Sequence, residues 1–147
     1  MRIAVRYQSR GGNTKAAAEV IAETAGVNAE RIDMPIDEPV DLLFVGGGVY
    51  AWTIDKRLKD FLESLDPKTV KTVAAFTTSG LFGCTRTMKT VAKARGVNVS
   101  DVHLPLRMGF HNYFGSKGYA TLTEKQKGQL RKFTMKAMEL VTDGSTI

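Results

Sequence analysis

One cysteine, two histidines and four prolines in 147 residues narrow the chemistry before any motif is read. A lone Cys84 cannot close an internal disulfide, and His103 with His111 is too small a set for a recognisable metal cluster, so neither a covalent staple nor a structural metal is expected. The chain has no apolar run near the roughly 20 residues of a membrane-spanning helix. After Met1 there is no charged lead, long apolar stretch or small-residue cleavage site, so no secretory signal is read and a cytoplasmic location is the expectation. Low-complexity tracts, internal repeats and linkers are also missing, so residues 1–147 are read as one domain, long enough to bury a core.

Acidic residues are outnumbered, with 15 Asp and Glu against 21 Lys and Arg, and the resulting +6 favours acidic partners or anionic ligands. The positive charges are spread over solvent-facing positions of expected helices (Lys56, Arg57, Lys59, Lys89, Lys93, Lys125, Lys127, Arg131, Lys132). No aromatic interleaving or base-reading motif accompanies them, so a nucleic-acid partner is not expected. Hydrophobic residues at 43% and charged residues at 24% match an ordinary globular domain and argue against disorder.

Apolar runs and helical patterns alternate from end to end. Residues 2–7 read as a first strand. A helix opens at Asn13 or Thr14, carries Ala17, Val20, Ile21 and Ala25 on one face, and closes at Gly26. A short strand is expected over 29–33 and a buried one over 41–45, the latter ending in Gly46-Gly47-Gly48, which reads as a loop. Leu58, Phe61, Leu62 and Leu65 stripe the next helix, which Pro67 ends. Residues 70–77 form a fourth strand, about 83–95 a helix with Met88, Val91 and Ala92 inward, and 97–104 a fifth strand. A Gly- and aromatic-rich loop, 108–119, leads to a last helix lined by Leu130, Phe133, Ala137, Leu140 and Val141. Strands separated by helices imply parallel pairing, right-handed crossovers and a doubly wound α/β sandwich. Ligands of such sheets bind beyond the carboxyl ends of the strands, where strand order reverses, which directs attention to the loops after the first, third and fourth strands.

The first of these loops is Ser9-Arg10-Gly11-Gly12-Asn13-Thr14. Its glycines let successive N–H groups and a helix N-terminus converge on an anion, with Ser9, Asn13 and Thr14 as further donors, so a phosphate fits. An ordinary Gly-rich turn with an Asn cap is the other reading. It is not a Walker loop, because Lys15 follows Thr14, nor is it G-x-G-x-x-G.

The run from Tyr7 to Lys15 resembles the phosphate loop of the flavodoxin family, commonly Ser-Arg-Thr-Gly-Asn-Thr after a strand. Ser9, Arg10, Gly12, Asn13 and Thr14 match it. Gly46-Gly47-Gly48-Val49-Tyr50-Ala51-Trp52-Thr53-Ile54 and the helix after it are similar to that family's flavin-flanking loop, and Thr77-Thr78-Ser79-Gly80 to its second flavin loop. Thr123-Glu124 opening the last helix fits the same layout, so the resemblance covers nearly the whole chain.

It implies a flavodoxin-like five-stranded parallel sheet of order 2-1-3-4-5 with helices on both faces, and FMN as cofactor. Ser9, Arg10, Gly11, Gly12, Asn13 and Thr14 would hold the phosphate. Gly48, Val49, Tyr50, Ala51 and Trp52, with Thr78, Ser79, Gly80, Phe82 and Gly83, would flank the flavin, Tyr50 or Trp52 stacking on the ring unless they simply pack at the loop. No catalytic side chain and no metal is required, since the cofactor carries the chemistry. An FMN electron carrier working with a redox partner protein, an acidic one suiting the net charge, as a monomer or weak dimer, is the function implied. A flavodoxin-like NAD(P)H or quinone oxidoreductase, with the 108–119 loop and its His111, Tyr113 and Phe114 as a substrate wall, is an alternative; a flavin-free binding or regulatory module on the same fold is another.

The pattern is broken in places. Gly11 stands where the family usually has Thr, Gly47-Gly48 where Ser-Pro is common, and Trp52 where Gly is frequent, so weaker FMN binding is expected. Flavodoxins are typically acidic, whereas a positive surface with Arg10 beside the phosphate would ease flavin reduction by about 1 kcal/mol per contacting charge, giving a less negative potential. Arg6 lies in a strand covered on both faces, where an ion is costly unless paired with an acid or a ligand. Cys84 at a helix start is either a packed core thiol or a redox-active one of lowered pKa. A response-regulator receiver is rejected, since Gln8-Ser9 and Gly46-Gly47 stand where its acidic residues and phosphoacceptor belong.

Overall fold

The computed structural model describes residues 1–10, 12–50, 53–78, 84–108 and 121–144, with backbone only at 49, 50 and 53. The expected alternation is present. Strand β1 (Ile3–Gln8) leads into helix α1 (Asn13–Ala25), which Gly26 closes in the left-handed region, its φ of 76° suiting glycine. Then come β2 (Ala29–Arg31), β3 (Val40–Gly47), α2 (Lys56–Glu63), β6 (Val70–Thr77) and α3 (Cys84–Ala94). A small antiparallel ladder, β4 (Val49–Tyr50) with β5 (Thr53–Ile54), stands between β3 and α2, and α4 (Glu124–Thr142) closes the chain.

The sheet is parallel throughout and ordered β2-β1-β3-β6-β7, with β8 also on β6. This is the flavodoxin-like order read from the sequence. The fifth strand is not the continuous 97–104 expected. It is split into β7 (Asn98–Val99) and β8 (Leu104–Pro105), both against β6. Val99 pairs with Val73 and Leu104 with Phe76, so residues 100–103 bulge out opposite Ala74 and Ala75. The buried Ser100 makes the excursion possible. Its N–H donates to Val73 O (2.8 Å), and its Oγ then accepts from Val102 N (3.2 Å), turning the chain away from the ladder.

A second difference concerns Gly46-Gly47-Gly48. Gly46 and Gly47 do not loop; they extend β3, opposite Tyr7 and Gln8 on one side and Phe76 and Thr77 on the other. A Cβ on Gly46 would lie 2.2 Å from Phe76 ring carbons, and one on Gly47 would lie 2.4 Å from Leu58 Cδ2. Neighbours on opposite faces already fill the space a side chain would take. Gly46 and Gly47 serve packing within the strand and do not form the expected loop. Helix α2 also ends at Glu63, before Pro67.

Strand alternation divides the core in two. Val5, Tyr7, Leu42, Phe44, Ala74 and Phe76 face α1 and α4, while Ala4, Leu43, Val45, Val73 and Ala75 face α2 and α3. Phe133 of α4 meets Phe44 edge-on at 5.6 Å and Phe76 at 6.5 Å. Each such ring contributes about 2–3 kcal/mol by burial. Cys84 lies within the α2/α3 core, where burial pushes its thiol up, opposite to what a redox-active cysteine needs.

No helix crosses β1 between β2 and β3. The connection itself covers that stretch, and Arg6 holds it down. Its Nε donates to Met34 O and its Nη2 to Pro35 O, each at 3.0 Å, and its Nη1 donates to Val5 O at 3.1 Å. The partners expected for this charge were an acid or a ligand; instead backbone carbonyls satisfy it. Desolvation lowers its pKa, opposed by the fields of Glu30 and Asp37.

Candidate functional site

Strands β1, β3 and β6 all end at one edge of the sheet, at Gln8, Gly47 and Thr77. The polypeptide leaves that edge in three segments, beginning at Ser9, Gly48 and Thr78, which are the three loops singled out by sequence. Chain order brings them together because β1 is central and the connections from β1 and β3 diverge on opposite faces.

The first segment is tightly folded. Ser9 Oγ accepts the Gly12 N–H at 3.0 Å, and Gly12 adopts φ 92°, which a side chain resists. That N–H is therefore held by Ser9, which leaves it out of the successive N–H groups expected to converge on an anion. The helix start is open instead. No side chain caps α1 and no acid lies in its first turn, whereas Asp55 caps α2 and Thr123 with Gln126 forms a capping box on α4. Among these three, only α1 presents an uncapped, positively polarised end to the carboxyl edge.

Two side-chain contacts join the segments. The hydroxyls of Thr14 and Thr78, both buried, lie 3.0 Å apart, tying the start of α1 to the end of β6. Arg10 reaches Asp55, with Nη2 at 2.7 Å and Nε at 3.0 Å from Oδ2. Asp55 Oδ1 accepts the Arg57 N–H at 2.8 Å and so caps α2. The sequence reading passed over Asp55, although an Asp directly before a helical stripe is an N-cap signal.

Buried polar atoms at the same edge are left without partners: Gln8 Nε2, Asn13 Oδ1 and Thr77 Oγ1. Interiors rarely tolerate such groups; Asn13 Oδ1 lies at the start of α1 and Thr77 Oγ1 at the end of β6, whereas Gln8 lines a cleft on the α2 side of the sheet. Among the described residues no group of three His, Cys, Asp or Glu is placed to hold a metal.

Of the residues expected at the site, Ser9, Arg10, Gly12, Asn13, Thr14, Gly48 and Thr78 are at this edge, and the backbones of Val49 and Tyr50 form β4 beside it. Gly11, Ala51, Trp52, Ser79, Gly80, Phe82 and Gly83 lie outside the described residues, as do His111, Tyr113 and Phe114. Sequence reading also left aside the pairing of Thr85 Oγ1 with His103 Nδ1, which anchors the 100–103 excursion to α3. Desolvation, then Lys89 and Arg86, hold the His103 imidazole below its ordinary pKa.

These features define a doubly wound α/β protein with an open helix start at the switch point of its sheet. The chain belongs to the flavodoxin family: the family model described as flavodoxin domain matches residues 4–146. No curated protein sequence matches it. Among solved structures it is similar to a flavodoxin from the domain Archaea, with TM-score 0.74 and 21% identity over 97% of this chain and 99% of that one. It is also similar to rubredoxin oxygen:oxidoreductase from Desulfovibrio gigas, with TM-score 0.73 and 15% identity over 96% of this chain but 36% of that one. Two-electron reduced flavodoxin from Megasphaera elsdenii matches with TM-score 0.55 and 19% identity over 92% of this chain and 99% of that one. Likeness at these identities concerns the fold.

Proposed function

We propose that this chain binds FMN at the carboxyl edge of β1, β3 and β6 and acts as an electron carrier. The observation that carries the reading is the uncapped, acid-free start of α1, set beside a loop matching the flavodoxin phosphate pattern and bridged through Thr14 to Thr78. The residues present fit the cofactor: Asn13 Oδ1 and Thr77 Oγ1 are buried polar atoms in want of partners. Ser9, Arg10, Gly11, Gly12, Asn13 and Thr14 would surround the phosphate. Gly48, Val49, Tyr50, Ala51, Trp52, Thr78, Ser79, Gly80, Phe82 and Gly83 would flank the ring. When bound, FMN supplies the electron-accepting and electron-donating chemistry. The protein's share is to hold the phosphate, exclude water and set the field.

That field is less simple than the net +6 suggests. Asp55 sits against Arg10 and offsets the charge nearest the phosphate loop. A less negative potential than that of an acidic flavodoxin then rests on exposed cations such as Arg57 and Arg86 at the starts of α2 and α3. The same exposed charge suits an acidic redox partner. No helix among the described residues is long and apolar enough to cross a membrane.

Titration of FMN into flavin-free protein, followed by flavin and Trp52 fluorescence with riboflavin as the phosphate-free control, tests the reading. Saturable quenching at micromolar or tighter dissociation constants, about −8 kcal/mol or better, with riboflavin much weaker, is expected. Absence of binding would sink the electron-carrier reading.

A further inference from the structure

A second cleft lies on the α2 side of the sheet, at the end of β1 beyond the stretch where Arg6 holds the β2–β3 connection. It has a volume of about 480 Å³ and is bounded by the end of β2 and the outer face of α2. That is within the range of small-molecule sites. At its base is Gln8. Along β1, Ala4 belongs to the α2/α3 core and Arg6 bonds to the 34–35 carbonyls, so alternation sends Gln8 to that side as well, away from α1. Gln8 is 1% exposed, lines the cleft, and its Nε2 has no hydrogen-bond partner. A buried amide N–H₂ group in want of an acceptor costs stability unless a ligand or water supplies one.

The charges around the mouth say what kind of acceptor. Arg31 and Arg57 line the cleft, and neither forms an ion pair among the described residues. Of the two acids in the lining, Asp60 is already bonded to Lys56 at 3.0 Å, which leaves Asp33 against two guanidinium groups and a local excess of one positive charge. Ile32 and Phe61 add apolar wall. A buried amide donor, two guanidinium groups and an aromatic face together match a carboxylate carried on a flat apolar body.

We propose that this cleft binds a small organic monocarboxylate, its oxygens accepting from Gln8 Nε2 and from Arg57 while its apolar part rests on Phe61. Its lining shares no residue with the 9–14 loop, although Gln8 directly precedes Ser9, and the proposal does not rest on the FMN reading.

Benzoate is a suitable probe, with benzamide as its uncharged counterpart, titrated into the isotopically labelled full chain while the Gln8 side-chain amide resonances are followed by NMR, with and without saturating FMN. Saturable shifts of those resonances are expected with benzoate, unchanged by FMN. Benzamide should bind about tenfold more weakly or worse, and Gln8→Met and Arg57→Ala should each weaken benzoate about tenfold. The proposal is overturned by the absence of saturable shifts, by equal binding of benzamide, or by shifts confined to the Ser9 and Thr14 amides that FMN abolishes. Should Gln8→Met fail to fold, Arg57→Ala, an exposed position, decides alone: benzoate affinity left intact there overturns the proposal.

Discussion

Arg10 and Asp55, 45 residues apart, share one carboxylate oxygen, with guanidinium nitrogens 2.7 and 3.0 Å from Oδ2. The other oxygen is committed to the Arg57 N–H, so a single buried acid both caps α2 and steadies the loop that precedes α1. Arg10 is 58% exposed, so solvent screens the charge attraction, and the cap should dominate the energetics. Asp55→Ala is expected to cost about 1–2 kcal/mol in urea denaturation, and Asp55→Asn, which keeps a capping oxygen, less than half as much. An equal loss in both variants would place the energy in the ion pair instead.

The Thr14–Thr78 hydroxyl pair joins the start of α1 to the segment after β6, so under the proposed FMN reading its effect should appear in ligand affinity as a coupling. Thr14→Val and Thr78→Val are each expected to weaken FMN binding several-fold, and the double variant little further, a coupling of about 1 kcal/mol. Additive losses in a double-mutant cycle would show that the two hydroxyls act independently.

The β3 glycines make opposite demands on their neighbours. The atoms a Gly46 methyl would strike belong to the Phe76 ring, which is fully buried and set against Phe133, while those beside Gly47 belong to the flexible end of Leu58. Gly46→Ala should therefore destabilise by about 2–3 kcal/mol and Gly47→Ala by less. Adding Phe76→Leu should recover part of the Gly46→Ala loss. Thermal or urea midpoints of the three variants check the order.

Stability should also depend on pH through His103. Its pKa is lowered in the folded state, chiefly by desolvation and then by Lys89 and Arg86, so the unfolded chain takes up the proton first. The contribution is complete above the ordinary value of 6.5 and declines as pH falls through the folded value below it. His103→Gln should flatten this part of the urea stability profile between neutral and mildly acidic pH. A profile that falls as steeply in the variant would assign the dependence to other groups.

Hydrophobic spacing alone carried a large part of the structure. The stripe Leu58, Phe61, Leu62 and the run 70–77 lie where their periodicity put them, because burial rewards a repeat of 3.6 or 2 whatever the partner is. The start of α1 at Asn13 was legible for a similar reason: a Gly-rich turn after a strand is a local signal for a helix start. Such features depend on neighbours a few residues away.

Other features depended on groups far along the chain. Glycine's weak intrinsic preference made Gly46-Gly47 read as loop, and only the crowding of Phe76 and Leu58 keeps both residues in β3. Arg6 had no legible partner because the carbonyls that hold it, those of Met34 and Pro35, belong to a connection nearly 30 residues away. The split of the fifth strand turns on Ser100 and His103 meeting β6 and α3. The sequence by itself determined, for the most part, which segments become strands and helices. The tertiary structure alone decided which polar groups find partners and which, like Gln8 Nε2 and Asn13 Oδ1, have none among the described residues, since hydrogen bonds between distant residues have a range of about 3 Å and leave no periodic trace in the chain.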